Sequence, residues 1–365
     1  MPKNSLGYTI LVSLALSAVL GFATPERSQG TAIPRMPDGK PDLSGTYDSA
    51  TLTPLNRPAE YGDKLYMTVE EAEAIAQAER EILARANAQS AVDREAPPVG
   101  GAPPTGADDS EREALGAGNV GGYNAFWIDR GNEAFTVDGK FRTSIVYDPP
   151  NGRQPRMTPR GMQKVADNFS SFTRPNDGTA WWLDGDAPGP FDGPEDLALA
   201  ERCLLGFSAG PPMLPGLYNN HKRIVQTKDH VMILMEMVHD VRVIRLDSEH
   251  APDYERRWLG DSIGWWEGDT LVVQTKNFRE DTGLYGGDEN LHLIERFTRQ
   301  PDGNLLYNFT VTDPTAWTAP WSGEYPWRAS EDRVYEYACH EGNYAMGNIL
   351  RGARLLEEEA RQATP

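Results

Sequence analysis

Between residues 223 and 312 the chain is a succession of short, strand-like runs, several of them joined by turn dipeptides. No other feature restricts the fold as much. The runs are Arg223–Thr227, His230–Val238, Val241–Leu246, Ile263–Trp266, Thr270–Lys276, Leu291–Arg299 and Leu305–Thr312. Lys228-Asp229, Gly268-Asp269 and Asp302-Gly303 fill three of the gaps, as hairpin turns require. Strands joined this way form an antiparallel meander and not a βαβ wind. A meander of seven or more strands exposes its edges unless it closes on itself. The run His230–Val238 is apolar on both faces, with Val231, Ile233 and Met235 alternating with Met232 and Leu234. In a barrel one such face meets the interior and the other a covering layer. The expected fold is therefore mainly β: an antiparallel meander closing into a lipocalin-like β-barrel with a ligand-sized interior and a few peripheral helices. A two-sheet β-sandwich is the alternative.

Upstream, Phe135-Thr-Val and Phe141–Tyr147 flank Asp138-Gly139, a further hairpin, and Leu43–Tyr47 is a lone strand-like patch. Thr68 precedes Glu71 by three residues, the spacing of a capping box. Behind it Ala72, Ile75, Ala76, Ile82, Leu83 and Ala86 recur at helical intervals, which predicts a helix over 69–88. Thr158-Pro159 starts another helix, and 195–204 and 345–361 also read as helical. Residues 89–122 are rich in Pro, Gly and acids, the composition of a flexible linker. The expected organisation is a leader at 1–23, an N-terminal arm at 24–122 and a β-rich main domain at 123–365.

The leader reading rests on Lys3, the apolar stretch Tyr8–Ala23 and the small residues at Gly21 and Ala23, the pattern of an export signal. Its 16 residues are short for a membrane span, which needs about 20. A periplasmic or secreted protein is expected, with no membrane span. Cys203 and Cys339 then make an even pair in an oxidising compartment, where a disulfide forms readily; two buried thiols are the alternative. In the chain-entropy picture such a bridge contributes about 4–5 kcal/mol. The 54 acidic against 35 basic side chains give a net charge of −19, a poor match for phosphate backbones, so nucleic acid is not an expected partner.

Polar residues that interrupt apolar strand faces are the candidates for chemistry. Glu236 is in register with Met232 and Leu234, and Glu295 shares a face with Leu293 and Phe297. Carboxylates and imidazoles in a partly dry cavity have pKa values near neutrality, as acid–base catalysis requires. Glu236, His239, Asp240, His292, Glu295 and His340 are therefore candidate acid–base residues, with Asp240 orienting the His239 imidazole. Arg242 would hold an anionic group, and Tyr218, Trp265 and Trp266 are candidate substrate contacts. The competing reading is a set of Glu–Arg and His–Asp pairs that satisfy one another inside the barrel. Trp181-Trp182, Trp317, Trp321 and Trp327 sit in or beside expected loops, where they would either bind flat ligands or plug barrel ends.

No cofactor is expected. Asp184, Asp186, Gly189, Asp192 and Glu195 imitate the spacing of a calcium loop, but Pro188, Pro190 and Pro194 constrain the wrap that such a loop needs. An acidic surface loop, with Asp192 capping the 195–204 helix, is the preferred reading over Ca²⁺. A Zn²⁺ site from His239 with His292 or His340 and a glutamate rests on residue type alone, since HExxH and paired CxxC motifs are missing.

Several longer motifs carry a resemblance. They include Tyr123-Asn-Ala-Phe-Trp-Ile-Asp-Arg-Gly131, Gly210-Pro-Pro-Met-Leu-Pro215, Gly260-Asp-Ser-Ile-Gly-Trp-Trp-Glu-Gly-Asp-Thr-Leu271 and Tyr337-Ala-Cys-His-Glu-Gly-Asn-Tyr344. Over residues 120 to 355 the chain resembles a large group of exported bacterial proteins labelled hypothetical. The resemblance implies export and a shared fold, and no particular reaction. The expected function is an exported enzyme that acts on a small lipophilic or aromatic molecule by acid–base chemistry, as an isomerase, lyase or hydrolase. A lipocalin-like protein that binds such a molecule without changing it is the alternative, and a structural or assembly role is a third.

Overall fold

The computed structural model describes residues 32–86, 128–168, 178–185, 189–206 and 209–363. The expected leader and the linker at 89–122 lie outside these described residues.

Nine strands close into a barrel. In spatial order they are β1 (Gly45–Asp48), β5 (His221–Gln226), β6 (His230–Met235), β7 (Val241–Leu246), β8 (Asp261–Glu267), β9 (Thr270–Lys276), β10 (His292–Arg299), β11 (Leu305–Thr312) and β12 (Trp321–Ser330). β12 returns to pair with β1. A short hairpin, β2 (Thr136–Val137) and β3 (Lys140–Phe141), turns at Asp138-Gly139, where both residues are left-handed with φ of 52° and 72°. β4 (Val146–Asp148) pairs with the start of β12.

Strand direction alternates around an antiparallel ring, so a ring of nine cannot close without a parallel pair. That pair is β7–β8, from Ile244↔Ser262 to Leu246↔Gly264. Residues 247–260 supply the long crossover that parallel pairing requires. The expected barrel is present, and the expected meander is interrupted here. The ninth strand comes from the N-terminal arm: β1 lies between β5 and β12. The boundary expected at 122/123 therefore does not separate two folding units.

The interior is filled. The pairing register turns Phe297, Tyr307, Phe309, Trp321, Tyr325 and Trp327 inward, each no more than 1% exposed. Tyr307 packs 4.9 Å from Trp327 and 5.1 Å from Phe297, centroid to centroid. A small barrel has room for side chains or for one small ligand, and here aromatic rings take that room. The ligand-sized interior expected from the sequence is replaced by a core. Trp321 and Trp327 are strand residues and not loop residues. Gly323 and Pro326 disguise β12, and Pro326 falls where that strand changes neighbour from β4 to β1.

Two predicted helices are capped as their sequences specify. α1 (Val69–Ala86) begins with a complete capping box: the Thr68 amide donates to Glu71 Oε2 at 2.6 Å, and the Glu71 amide donates to Thr68 Oγ1 at 3.2 Å. α2 (Pro159–Asn168) has the Gly161 amide donating to Thr158 Oγ1 at 3.0 Å. The helix expected at 195–204 does not form. A 3-10 turn at Pro194–Asp196 is followed by irregular turns, and Cys203 adopts φ 55°, which a continuous helix excludes. In that conformation Cys203 bonds to Cys339, confirming the disulfide. α3 (Cys339–Gly342) and α4 (Tyr344–Ala363) complete the chain.

One barrel end is closed by the segment before β1: the Leu43 amide donates to Gln226 Oε1 at 2.8 Å, and Arg35 pairs with Asp269. The other end carries the turn at 236–240 and the segments around 198–220, 277–291 and 331–343. Among the described residues no helix is long and apolar enough to cross a membrane.

Candidate functional site

The candidate site lies at this second end, where β5 begins and β6 stops. Alternation along β5 points Lys222 into the barrel and His221 away from it. β6 ends at Met235, opposite Lys222, and Glu236 then leaves the sheet with its amide donating to His221 O at 3.0 Å. The side chains meet as well: His221 Nδ1 is 3.5 Å from Glu236 Oε2, and His221 Nε2 is 3.6 Å from Asp332 Oδ2. Glu236 Oε1 accepts the Tyr335 amide at 3.0 Å. The hydrogen bond to Glu236 raises the His221 pKa above its ordinary value. Burial pushes the Glu236 carboxyl up, but His221 and the Tyr335 amide more than offset this and hold it below its usual range.

Val238 and His239 follow with φ of 58° and 59°. A β-branched residue in the left-handed region is a true outlier, and such strain clusters at functional sites. Gly206 packs against this turn so closely that a Cβ there would lie 2.4 Å from the Met237 side chain and 2.6 Å from that of Val238. Asp240 ends the turn. Among the described residues its Oδ2 is buried without a hydrogen-bond partner, and burial pushes its pKa up to about 6.

A cavity of about 220 Å³ adjoins the same Leu205-Gly206 segment. Leu199, Leu205, Tyr218, Thr282, Tyr285 and Tyr337 line it, and burial pushes the Tyr285 phenol up to about 12. A second cavity, of about 460 Å³, lies between the β2–β3 hairpin and the outer faces of β11 and β12. Arg328, the one arginine among the described residues that line it, is already paired with Asp48 and Glu133.

Of the residues predicted from sequence, Glu236, His239 and Asp240 fall in one turn, and Tyr218 falls in the adjoining cavity. The His239 side chain is exposed, so Asp240 does not orient a buried imidazole; the imidazole beside Glu236 is that of His221. Arg242 and Glu295 form a buried bidentate pair in the barrel. Arg242 also donates to Ser262 and Thr275, and Tyr307 donates to Glu295 Oε1 at 2.7 Å. At 2% and 0% side-chain exposure the two groups are directed at each other and at these neighbours. His292 sits on the outer wall, 2.8 Å from Gln274, which also meets His250 at 3.1 Å; His250 in turn contacts Asp261 at 2.9 Å. His340 is exposed on α3, and Trp265 bonds to Glu267 on the outer wall. Trp266 lies towards the end closed by the N-terminal segment, beneath Lys40. These elements do not converge with the turn.

His221, Lys222, Tyr285 and Tyr337 escape a reading based on apolar runs. β5 begins two residues before the run Arg223–Thr227, and both tyrosines lie outside the strands. Among the described residues no group of three or more His, Cys, Asp or Glu is gathered as for a metal ion. In the calcium-like loop, Asp192 Oδ2 accepts the Gly189 amide at 2.7 Å; Asp186 and Pro188 lie outside the described residues. No protein-family model matches the chain, and no curated protein matches it significantly.

Proposed function

We propose that this is an exported enzyme that takes a small lipophilic or aromatic molecule at the Glu236–Asp240 end of the barrel and acts on it by acid–base chemistry, as an isomerase, lyase or hydrolase. The observation that carries this reading is Asp240. Its carboxyl has a buried oxygen with no partner among the described residues and a pKa pushed up to about 6, so it can both give and take a proton close to neutrality. It stands in a strained turn that shares the Gly206 packing with an apolar, phenol-lined cavity. Glu236 with His221 provides a second titratable pair beside it. Export is supported by the leader-like stretch Tyr8–Ala23 and by the Cys203–Cys339 bridge, a bond that persists in oxidising compartments.

A binding protein without catalysis is the second reading. It is favoured by the Arg242–Glu295–Tyr307 network, in which the buried polar groups satisfy one another. Its ligand would occupy the cavity at the barrel end, because the interior is packed. The test is a mass-spectrometric screen of the mature protein against terpenoid, steroid, aromatic and sugar compounds, with Asp240→Asn and Glu236→Gln alongside. Turnover that Asp240→Asn loses while still binding supports the enzyme. Ligand bound but unchanged, equally by wild type and variants, leaves the binding protein.

A further inference from the structure

The cavity at the barrel end has walls from distant parts of the chain, and a covalent bond joins them. Residues 198–201 and 205–206 line one wall, and Tyr337 belongs to the other. Cys203, in the segment between these lining residues, is bonded to Cys339, two residues beyond Tyr337. Asn343 reinforces the join: its Nδ2 donates to Glu201 O at 2.8 Å and lies 3.4 Å from Cys203 Sγ. The stretch from Glu331 to Ala338 has no regular secondary structure, and its side chains are exposed or half-buried. Its polar ties to the barrel include the Tyr335 amide on Glu236, Asp332 beside His221 and the Asp332 amide on Ser330 Oγ. Tyr337 also packs against the core, and the disulfide adds a covalent constraint on where it stands.

The lining also selects among ligands. Three tyrosine rings, Asn168 and the side chains of Leu199 and Leu205 line the space; the Thr282 hydroxyl is already engaged, donating to Leu284 O at 3.0 Å and accepting the Leu284 amide at 3.3 Å, and no Lys, Arg or His is among the described lining residues. The one carboxylate, Glu201, accepts the Ala198 amide at 3.0 Å. Such a surface offers aromatic and apolar contact but no counter-ion for an anion. We infer that the cavity binds a neutral one- or two-ring aromatic molecule, and that it does so only while the Cys203–Cys339 bridge is intact. This rests on the functional reading above and adds a redox control to it. A dithiol reductant opens the bridge by thiol–disulfide exchange, yielding two cysteine thiols and the cyclic disulfide of the reductant. The Tyr337 wall then has to be ordered by the ligand itself, which weakens binding.

The test measures binding of 2-naphthol, with naphthalene-2-sulfonate as the anionic counterpart, to the full mature chain. Oxidised protein is compared with dithiothreitol-reduced protein and with the Cys203→Ser/Cys339→Ser variant, while far-UV circular dichroism monitors the barrel. We expect 2-naphthol binding to weaken at least about tenfold without the bridge, the barrel signal to persist, and the sulfonate to bind poorly throughout. Tyr337→Ala, with its bridge intact, should weaken 2-naphthol binding too, which keeps the test decisive if the double variant does not fold. Equal binding with and without the bridge overturns the redox control and leaves the functional reading in place. Sulfonate bound as tightly as naphthol overturns the ligand class. Failure of the oxidised protein to bind 2-naphthol overturns the inference, whereas the functional reading falls only with the turnover screen.

Discussion

Lys222 Nζ lies 2.5 Å from Ser49 Oγ inside the barrel, under the face of Trp327 and, among the described residues, with no carboxylate in ion-pair contact. Burial lowers its pKa from 10.5 to about 7. The folded protein therefore prefers the neutral amine, whereas the unfolded chain keeps the ammonium. The resulting penalty is fully present below about pH 7 and is relieved as pH rises toward 10.5. Urea unfolding between pH 7 and 9 should show wild type gaining on Lys222→Met by up to about 1.4 kcal/mol per pH unit. Parallel profiles for the two proteins would refute the assignment.

The Arg242–Glu295 pair is buried on both sides and bonded at every edge. Removing one partner strands the other charge, so Arg242→Met or Glu295→Gln should lose about 3–5 kcal/mol of stability by denaturant titration. Replacing both, as Arg242→Met with Glu295→Leu, should recover part of that loss. A double variant no more stable than the worse single one would count against an ion-pair origin.

His221 and Glu236 stabilise the barrel end within a defined pH window. The His221 pKa is raised above 6.5, so its contribution is complete below 6.5 and disappears as pH rises through the folded value. The Glu236 pKa is lowered from 4.5, so its contribution is complete above 4.5 and disappears as pH falls through the folded value. The pair is therefore strongest between these limits. An NMR titration should place the His221 pKa above 6.5 in wild type and lower in Glu236→Gln; no change in the variant would sink the pairing.

Asp240 behaves in the opposite sense to Glu236. Its folded pKa of about 6 exceeds the ordinary 3.8, so its burial is free of charge below 3.8 and increasingly unfavourable as pH rises to about 6. Asp240→Asn should match wild-type stability in acid and exceed it above pH 6. Any turnover should meanwhile fall by about 10²-fold or more if this carboxyl transfers the proton. A variant less stable than wild type at pH 7 would show that the carboxylate has a partner after all.

Much of the barrel was legible because its strands carry local signals. Turn pairs such as Asp138-Gly139 and Gly268-Asp269, and the alternation along Leu305–Thr312, depend only on neighbouring residues. The Thr68–Glu71 and Thr158–Pro159 helix starts were legible for the same reason. The candidate site was legible only in part. Glu236, His239 and Asp240 stood out as polar residues ending an apolar strand, but which imidazole faces Glu236 depends on β5, whose edge the apolar pattern misses.

Local sequence chemistry thus determined the class of the fold, its hairpins and its helix caps, since each follows from contacts a few residues apart. Tertiary structure decided the rest. A ring of nine strands required one parallel pair, β7–β8, and required β1 from the far end of the chain. Side-chain volume decided that the interior would hold Trp321, Trp327 and Tyr307 and not a ligand. Burial, which exists only once the chain has closed, set the proton affinities of Lys222 and Asp240.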